Sequence, residues 1–143
     1  QRQMCIRDRP GSERLQIETD INLPGPLYVR RTRIKVIVEN LISNGIKYQD
    51  PEADQPKLSI IARKQSGRLV LTVEDNGLGI PESQRAKLFS MFSRFHTEVS
   101  YGSGLGLYMV RKSADVLGGK IQFEALNPGS RFIFSMRWPL APE

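Results

Sequence analysis

The chain changes its hydrophobic period several times, and each change marks an element. Residues 15–22, LQIETDIN, alternate apolar and polar and predict a strand. Pro24, Gly25 and Pro26 break the chain, and Tyr28-Val29 predict a short second strand. From Thr32 the period lengthens to that of a helix. Ile34, Ile37, Val38, Leu41, Ile42, Gly45 and Ile46 mark one broad face, with Thr32 placed to cap the start. This helix is expected to end near Lys47 or Tyr48, before a loop holding Pro51 and Pro56. LSIIARK (58–64) and RLVLTVE (68–74) predict a hairpin around Gln65-Ser66-Gly67. DNGLGI, Asp75 to Ile80, follows, and Pro81 opens a short helix, ESQRAKLF. Residues 93–103 lack a period and predict a loop. LGLYMVRKSADVLGG predicts a second long helix ended by glycines. KIQFEAL and SRFIFSMRW, joined through Asn127-Pro128-Gly129, predict a last hairpin. Because neighbouring strands form hairpins, the expected fold is an α/β (α+β) two-layer sandwich: a mixed, largely antiparallel sheet with helices packed on one face.

Composition narrows the function classes. A length of 143 residues suits one domain with one core, and 39% apolar and 25% charged residues are ordinary for a soluble protein. No apolar run approaches the roughly 18 residues a membrane span needs. The single cysteine, Cys5, excludes an internal disulfide framework and suits a reducing compartment. The net charge of +6 raises the question of nucleic acid. The basic residues are scattered, however, and no aromatic stacking platform accompanies them, so no nucleic acid is expected. A polyanionic small ligand suits the same field. Residues 1–12, QRQMCIRDRPGS, have no apolar period and read as a non-native or disordered leader to a domain spanning 13–143.

Three stretches carry candidate chemistry. In ENLISNGIKY (39–48), Asn40 and Asn44 lie one helical turn apart on one face, and Lys47 extends that face. Asparagines on such a face can simply meet water. Two carboxamide oxygens at this spacing can also hold Mg²⁺, a hard cation that takes few protein ligands, and Lys47 offers a point charge to phosphate. GSGLGL (102–107) opens a helix, where glycines allow backbone N–H groups to approach a phosphate; a flexible hinge is the plainer reading. It is not a Rossmann fingerprint, since no strand directly precedes it, and no Walker A pattern occurs. DNGLGI alone is a turn after a strand.

Together, ENLISNGIKY, DNGLGI, LFSMF and GSGLGL, in this order, resemble the catalytic and ATP-binding domain of sensor histidine kinases. That domain belongs to the superfamily of DNA gyrase, the large heat-shock chaperone and the mismatch-repair ATPase, the Bergerat fold. The resemblance covers about residues 15–140 and implies the following roles. Asp75 accepts a hydrogen bond from the adenine amino group, while Gly77 and Gly79 let the chain pass the base, with Ile80 beside them. Asn44 binds magnesium, Asn40 supports it one turn earlier, Lys47 contacts phosphate and Tyr48 lines the site. Phe89 and Phe92 anchor a lid, from which Arg94 reaches the phosphates. Gly102, Gly104 and Gly106 form the second glycine box, over Leu105 and Leu107. One departure is Gly45, where the family usually has Ala; the expected cost is to helix stability.

Hydrolytic relatives carry a Glu where this chain has Asn40, whose amide cannot accept a proton, and Glu39 is turned about 100° around the helix. The resemblance therefore implies an ATP-binding half that passes a phosphoryl group to a histidine elsewhere, with Mg²⁺ and ATP as cofactors. The acceptor is expected on an upstream dimerisation domain of the same kinase, since His96 lies in the lid. A response regulator receiver domain is the expected onward partner. The domain is expected to be monomeric, cytoplasmic and free of membrane contact, in a parent protein that can itself be membrane-anchored. Two other readings share the fold: a serine kinase of the anti-sigma-factor type, favoured less by LFSMFSRF and ENLISN, and an interaction module without nucleotide, which intact Asp75, Asn44 and glycines argue against.

Overall fold

The computed structural model describes residues 14–91 and 104–142. The expectations for residues 1–12, Phe92, Arg94, His96 and Gly102 lie outside the described residues. In chain order come β1 (Gln16–Asn22), α1 (Arg31–Lys47), β2 (Lys57–Gln65) and β3 (Arg68–Asp75). A 3₁₀ segment (Glu82–Lys87), α2 (Gly106–Val116), β4 (Lys120–Ala125) and β5 (Ser130–Arg137) follow. The strands form one sheet in the order β1-β2-β3-β5-β4. β1 runs parallel to β2, and every other neighbouring pair is antiparallel. A parallel pair needs a crossover, which α1 supplies. The β2–β3 turn is two residues, Ser66 and Gly67, both at positive φ, which matches the right-handed twist of the strands it joins.

Alternation fixes which face of the sheet is covered. Leu58, Ile60 and Ala62 of β2, Leu69, Leu71 and Val73 of β3, and Phe132, Phe134 and Met136 of β5 all point into one core. The helices close it, α1 through Ile37, Leu41, Ile42 and Ile46, and α2 through Leu107, Val110 and Ala114. Burying an apolar side chain of this size contributes about 2 kcal/mol. Four of them on α1 outweigh the roughly 2 kcal/mol that two asparagines and a glycine cost in helix propensity.

Two local expectations are corrected. Tyr28-Val29 form no strand. Pro24 and Pro26 carry no amide hydrogen, Leu27 and Val29 pack on the core, and Tyr28 is 47% exposed, so this segment is held by its side chains. Thr32 is not the cap of α1. It lies within the first turn, Arg30 holds the cap position, and no side chain caps the helix.

Gly45 proves to be a packing residue. It is buried, and a Cβ there would lie 2.6 Å from Cδ1 of Leu58, which is itself fully buried. Gly45→Ala is therefore expected to destabilise the fold by about 1 kcal/mol. The helix-propensity gain of roughly 1 kcal/mol is offset by an overpacking cost of about 2. Denaturant unfolding checks this, and a rise in stability would show that Leu58 repacks freely.

Candidate functional site

The end of β3 and the start of β5 build the first half of the site. Asp75 pairs with Ser130 in the sheet register. Oδ1 of Asp75 accepts the Gly77 N–H at 2.9 Å, and the Ser130 N–H also donates to the carboxylate. Burial pushes the carboxyl up to about 6, from an ordinary 3.8, against the lowering effect of those two donors. The site therefore holds a half-buried acid that, among the described residues, takes its hydrogen bonds from backbone amides.

The loop after Asp75 has little room to vary. The Leu78 N–H donates to the Tyr48 carbonyl at 2.9 Å, tying the loop to the end of α1. A Cβ on Gly77 would lie 2.5 Å from that same carbonyl oxygen. Gly79 sits at φ +74, against the Gly129 carbonyl. Asn76 faces the other way. Its Oδ1 accepts the Lys57 N–H at 2.8 Å and its Nδ2 donates to the Gln55 carbonyl at 2.9 Å, which pins the loop to the start of β2.

The second half is a cleft of about 260 Å³, including its open mouth, lined by Asn44, Lys47, Tyr48, Leu88, Gly104, Gly106 and Leu107. α1 delivers Asn44 and Lys47 from one face, and Nζ of Lys47 lies 5.1 Å from the Tyr48 ring centroid. α2 starts at the cleft with Leu105 in the cap position and no side-chain cap. Backbone N–H groups of such a first turn favour an anion. Asn44 suits a magnesium ligand by its chemistry, since a carboxamide oxygen is a hard donor and it shares the cleft with Lys47 and the start of α2, where phosphate oxygens could complete a shell.

Six expected residues thus share one cleft: Asn44, Lys47, Tyr48, Gly104, Gly106 and Leu107. The loop from Asp75 to Gly79 is tied to the cleft's Tyr48 carbonyl by the Leu78 N–H and the close approach of Gly77, whose own N–H bonds Asp75. Ile80 is buried in the core, and Phe89 packs edge-on to Phe132 with centroids 6.4 Å apart. Asn40 stands beside the cleft's Gly106, and its Nδ2 donates to the Val36 carbonyl at 2.7 Å. The sequence reading missed Gly129 and Ser130. Gly129 is at φ +107, and a Cβ there would overlap the Asp75 carbonyl oxygen. Their signal was a Gly-Ser pair entering a buried strand, but its meaning depends on the β3–β5 register.

Comparisons with known proteins agree with this geometry. Residues 29–142 match the family described as histidine kinase-, DNA gyrase B-, and HSP90-like ATPase. The circadian input-output histidine kinase CikA of Synechococcus elongatus is 33% identical over 134 residues, which cover 89% of this chain and 17% of that protein. The alginate biosynthesis sensor protein KinB of Pseudomonas aeruginosa is 32% identical over 126 residues, 88% of this chain and 20% of that one. The chain thus spans about a fifth or less of these two curated relatives. Among solved structures, the Acinetobacter baumannii histidine kinase AdeS superposes with a TM-score of 0.74 at 29% identity, covering 94% of this chain and 60% of that one. The mycobacterial sensor histidine kinase MprB shares the fold with a TM-score of 0.81 at 22% identity, covering 94% and 89%. The chain belongs to the histidine kinase-, DNA gyrase B-, and HSP90-like ATPase family.

Proposed function

We propose that this chain holds ATP with Mg²⁺ and presents the terminal phosphoryl group to a histidine on a dimerisation domain of the same kinase. A response regulator receiver domain would take the group onward. The observation that carries the reading is the half-buried Asp75 carboxylate, held by the Gly77 and Ser130 amides at the start of a loop tied to Tyr48 of the cleft that Lys47 and the start of α2 also line. Asp75 accepts the adenine amine and so selects the base. Lys47 and the first-turn amides of α2 hold phosphate oxygens, and Asn44 would hold the metal. A bound Mg²⁺ supplies neutralisation of charge between those oxygens. The chain's own contribution is positioning and electrostatics, and none of the described residues lining the cleft is a general base. Asn40 cannot take a proton, and Glu39 is exposed on another face.

Calorimetric titration of ATP into the chain tests this. The expected result is micromolar binding, tightened by Mg²⁺, with no steady hydrolysis. A separately added dimerisation domain should gain phosphate on histidine only when chain and Mg-ATP are both present. Steady hydrolysis that disappears in Glu39→Ala would instead make the site an ATPase.

A further inference from the structure

α1 carries asparagines on two successive turns, and they face different neighbours. Asn44 lines the cleft. Asn40 is turned back on its own helix, where Nδ2 donates to the Val36 carbonyl at 2.7 Å. That bond sets the plane of the carboxamide and the direction of its oxygen. Opposite Oδ1 stands Gly106, the first residue of α2. A Cβ on Gly106 would lie 3.1 Å from Oδ1 and 3.9 Å from Cγ of Asn40. The carboxamide oxygen therefore stands in tight contact with the place a side chain at 106 would take. The oxygen that a metal would need is the one packed against Gly106.

We propose that Asn40 is a positioning residue. Locked onto Val36, it sets the distance between α1 and the first turn of α2, so that Lys47 and the α2 amides converge on the same phosphate oxygens. This rests on the nucleotide reading above and adds a division of labour within it: Asn44 takes the metal and Asn40 takes the helix. It also gives a reason for glycine at 106. A methyl group there would press on the carboxamide oxygen, which would have to give by a few tenths of an ångström.

The test compares ATP without metal, ATP with Mg²⁺, and adenosine, titrated into the wild-type chain and four variants. Asn40→Ala is expected to weaken ATP about tenfold, the worth of one good hydrogen bond, by the same factor with and without Mg²⁺. It should leave adenosine unchanged, because adenosine has no phosphates to misplace. Asn44→Ala, by contrast, should lose the Mg²⁺ enhancement. Gly106→Ala should weaken ATP, and Asn40→Ala combined with Gly106→Ala should bind better than Gly106→Ala alone, since truncation makes room for the methyl. Thermal melting confirms that each variant is folded. Should Asn40→Ala unfold, Asn40→Asp keeps the shape, cannot donate to Val36, and is expected to show the same loss. Loss of the Mg²⁺ enhancement alone in Asn40→Ala would make Asn40 a metal ligand and overturn the proposal. An equal loss for adenosine and ATP would reduce its role to general stability and overturn it too. Absence of both ATP and adenosine binding in the wild type would remove the nucleotide reading itself, and the positioning role with it.

Discussion

Asp75→Asn is expected to weaken ATP binding about a hundredfold near neutral pH. The carboxylate is an acceptor on both oxygens, and two backbone amides already point at it. A carboxamide offers one acceptor and one donor. Whichever way it turns, an NH₂ faces either a backbone N–H or the adenine amine. Losing a hydrogen bond to a charged group costs about 2 kcal/mol, and stranding a buried donor adds about 1, which together give that factor. The pH dependence separates charge from shape. The folded carboxyl titrates at about 6 and the unfolded one at its ordinary 3.8, so between these values the folded chain holds more protons. Stability from this group therefore falls as pH rises through that window. Affinity for ATP moves the other way, rising through about 6 as the acceptor ionises. Melting and titration at several pH values should show the two opposed trends in the wild type and neither in Asp75→Asn. Equal affinity of both proteins across this range would remove Asp75 from the site.

Gly129→Ala is expected to destabilise the fold by about 3 kcal/mol or more and to abolish nucleotide binding. Two effects add. The residue sits at φ +107, which an L side chain tolerates poorly, and the new methyl would overlap the Asp75 carbonyl oxygen. Backbone blocks it, so no rotamer relieves the clash. Gly25→Ala is the control, since nothing lies within 4 Å of a Cβ there, and it should melt with the wild type. A normally folded Gly129→Ala chain would mean that the β4–β5 turn can shift without cost.

Period carried most of the architecture. Leu58, Ile60 and Ala62 alternate, Ile37, Leu41 and Ile42 recur by turns, and their elements formed within a residue or two of expectation. Motif spacing pointed to Asn44, Lys47, Gly104 and Gly106, which share one cleft. What stayed hidden depended on contacts between segments distant in sequence. Tyr28-Val29 alternate like a strand, but a strand needs a neighbour, and the sheet offers them none. Gly45 reads as a weak point of a helix until Leu58 is seen against it. Asn40 and Asn44 are equivalent by spacing and differ only because Gly106 stands opposite one of them. Ser130 could be tied to Asp75 only through the β3–β5 register.

The pairing of Asp75 with Ser130 has a consequence for how the site comes into being. Its carboxylate is completed by an amide that belongs to the final strand of the chain. The first hairpin and its following loop supply only the Gly77 amide, and the second donor arrives when β5 docks against β3. A nucleotide that binds the docked state better than the undocked one would draw this docking step toward completion by mass action. ATP would serve this domain as a folding ligand before it serves as a phosphoryl donor.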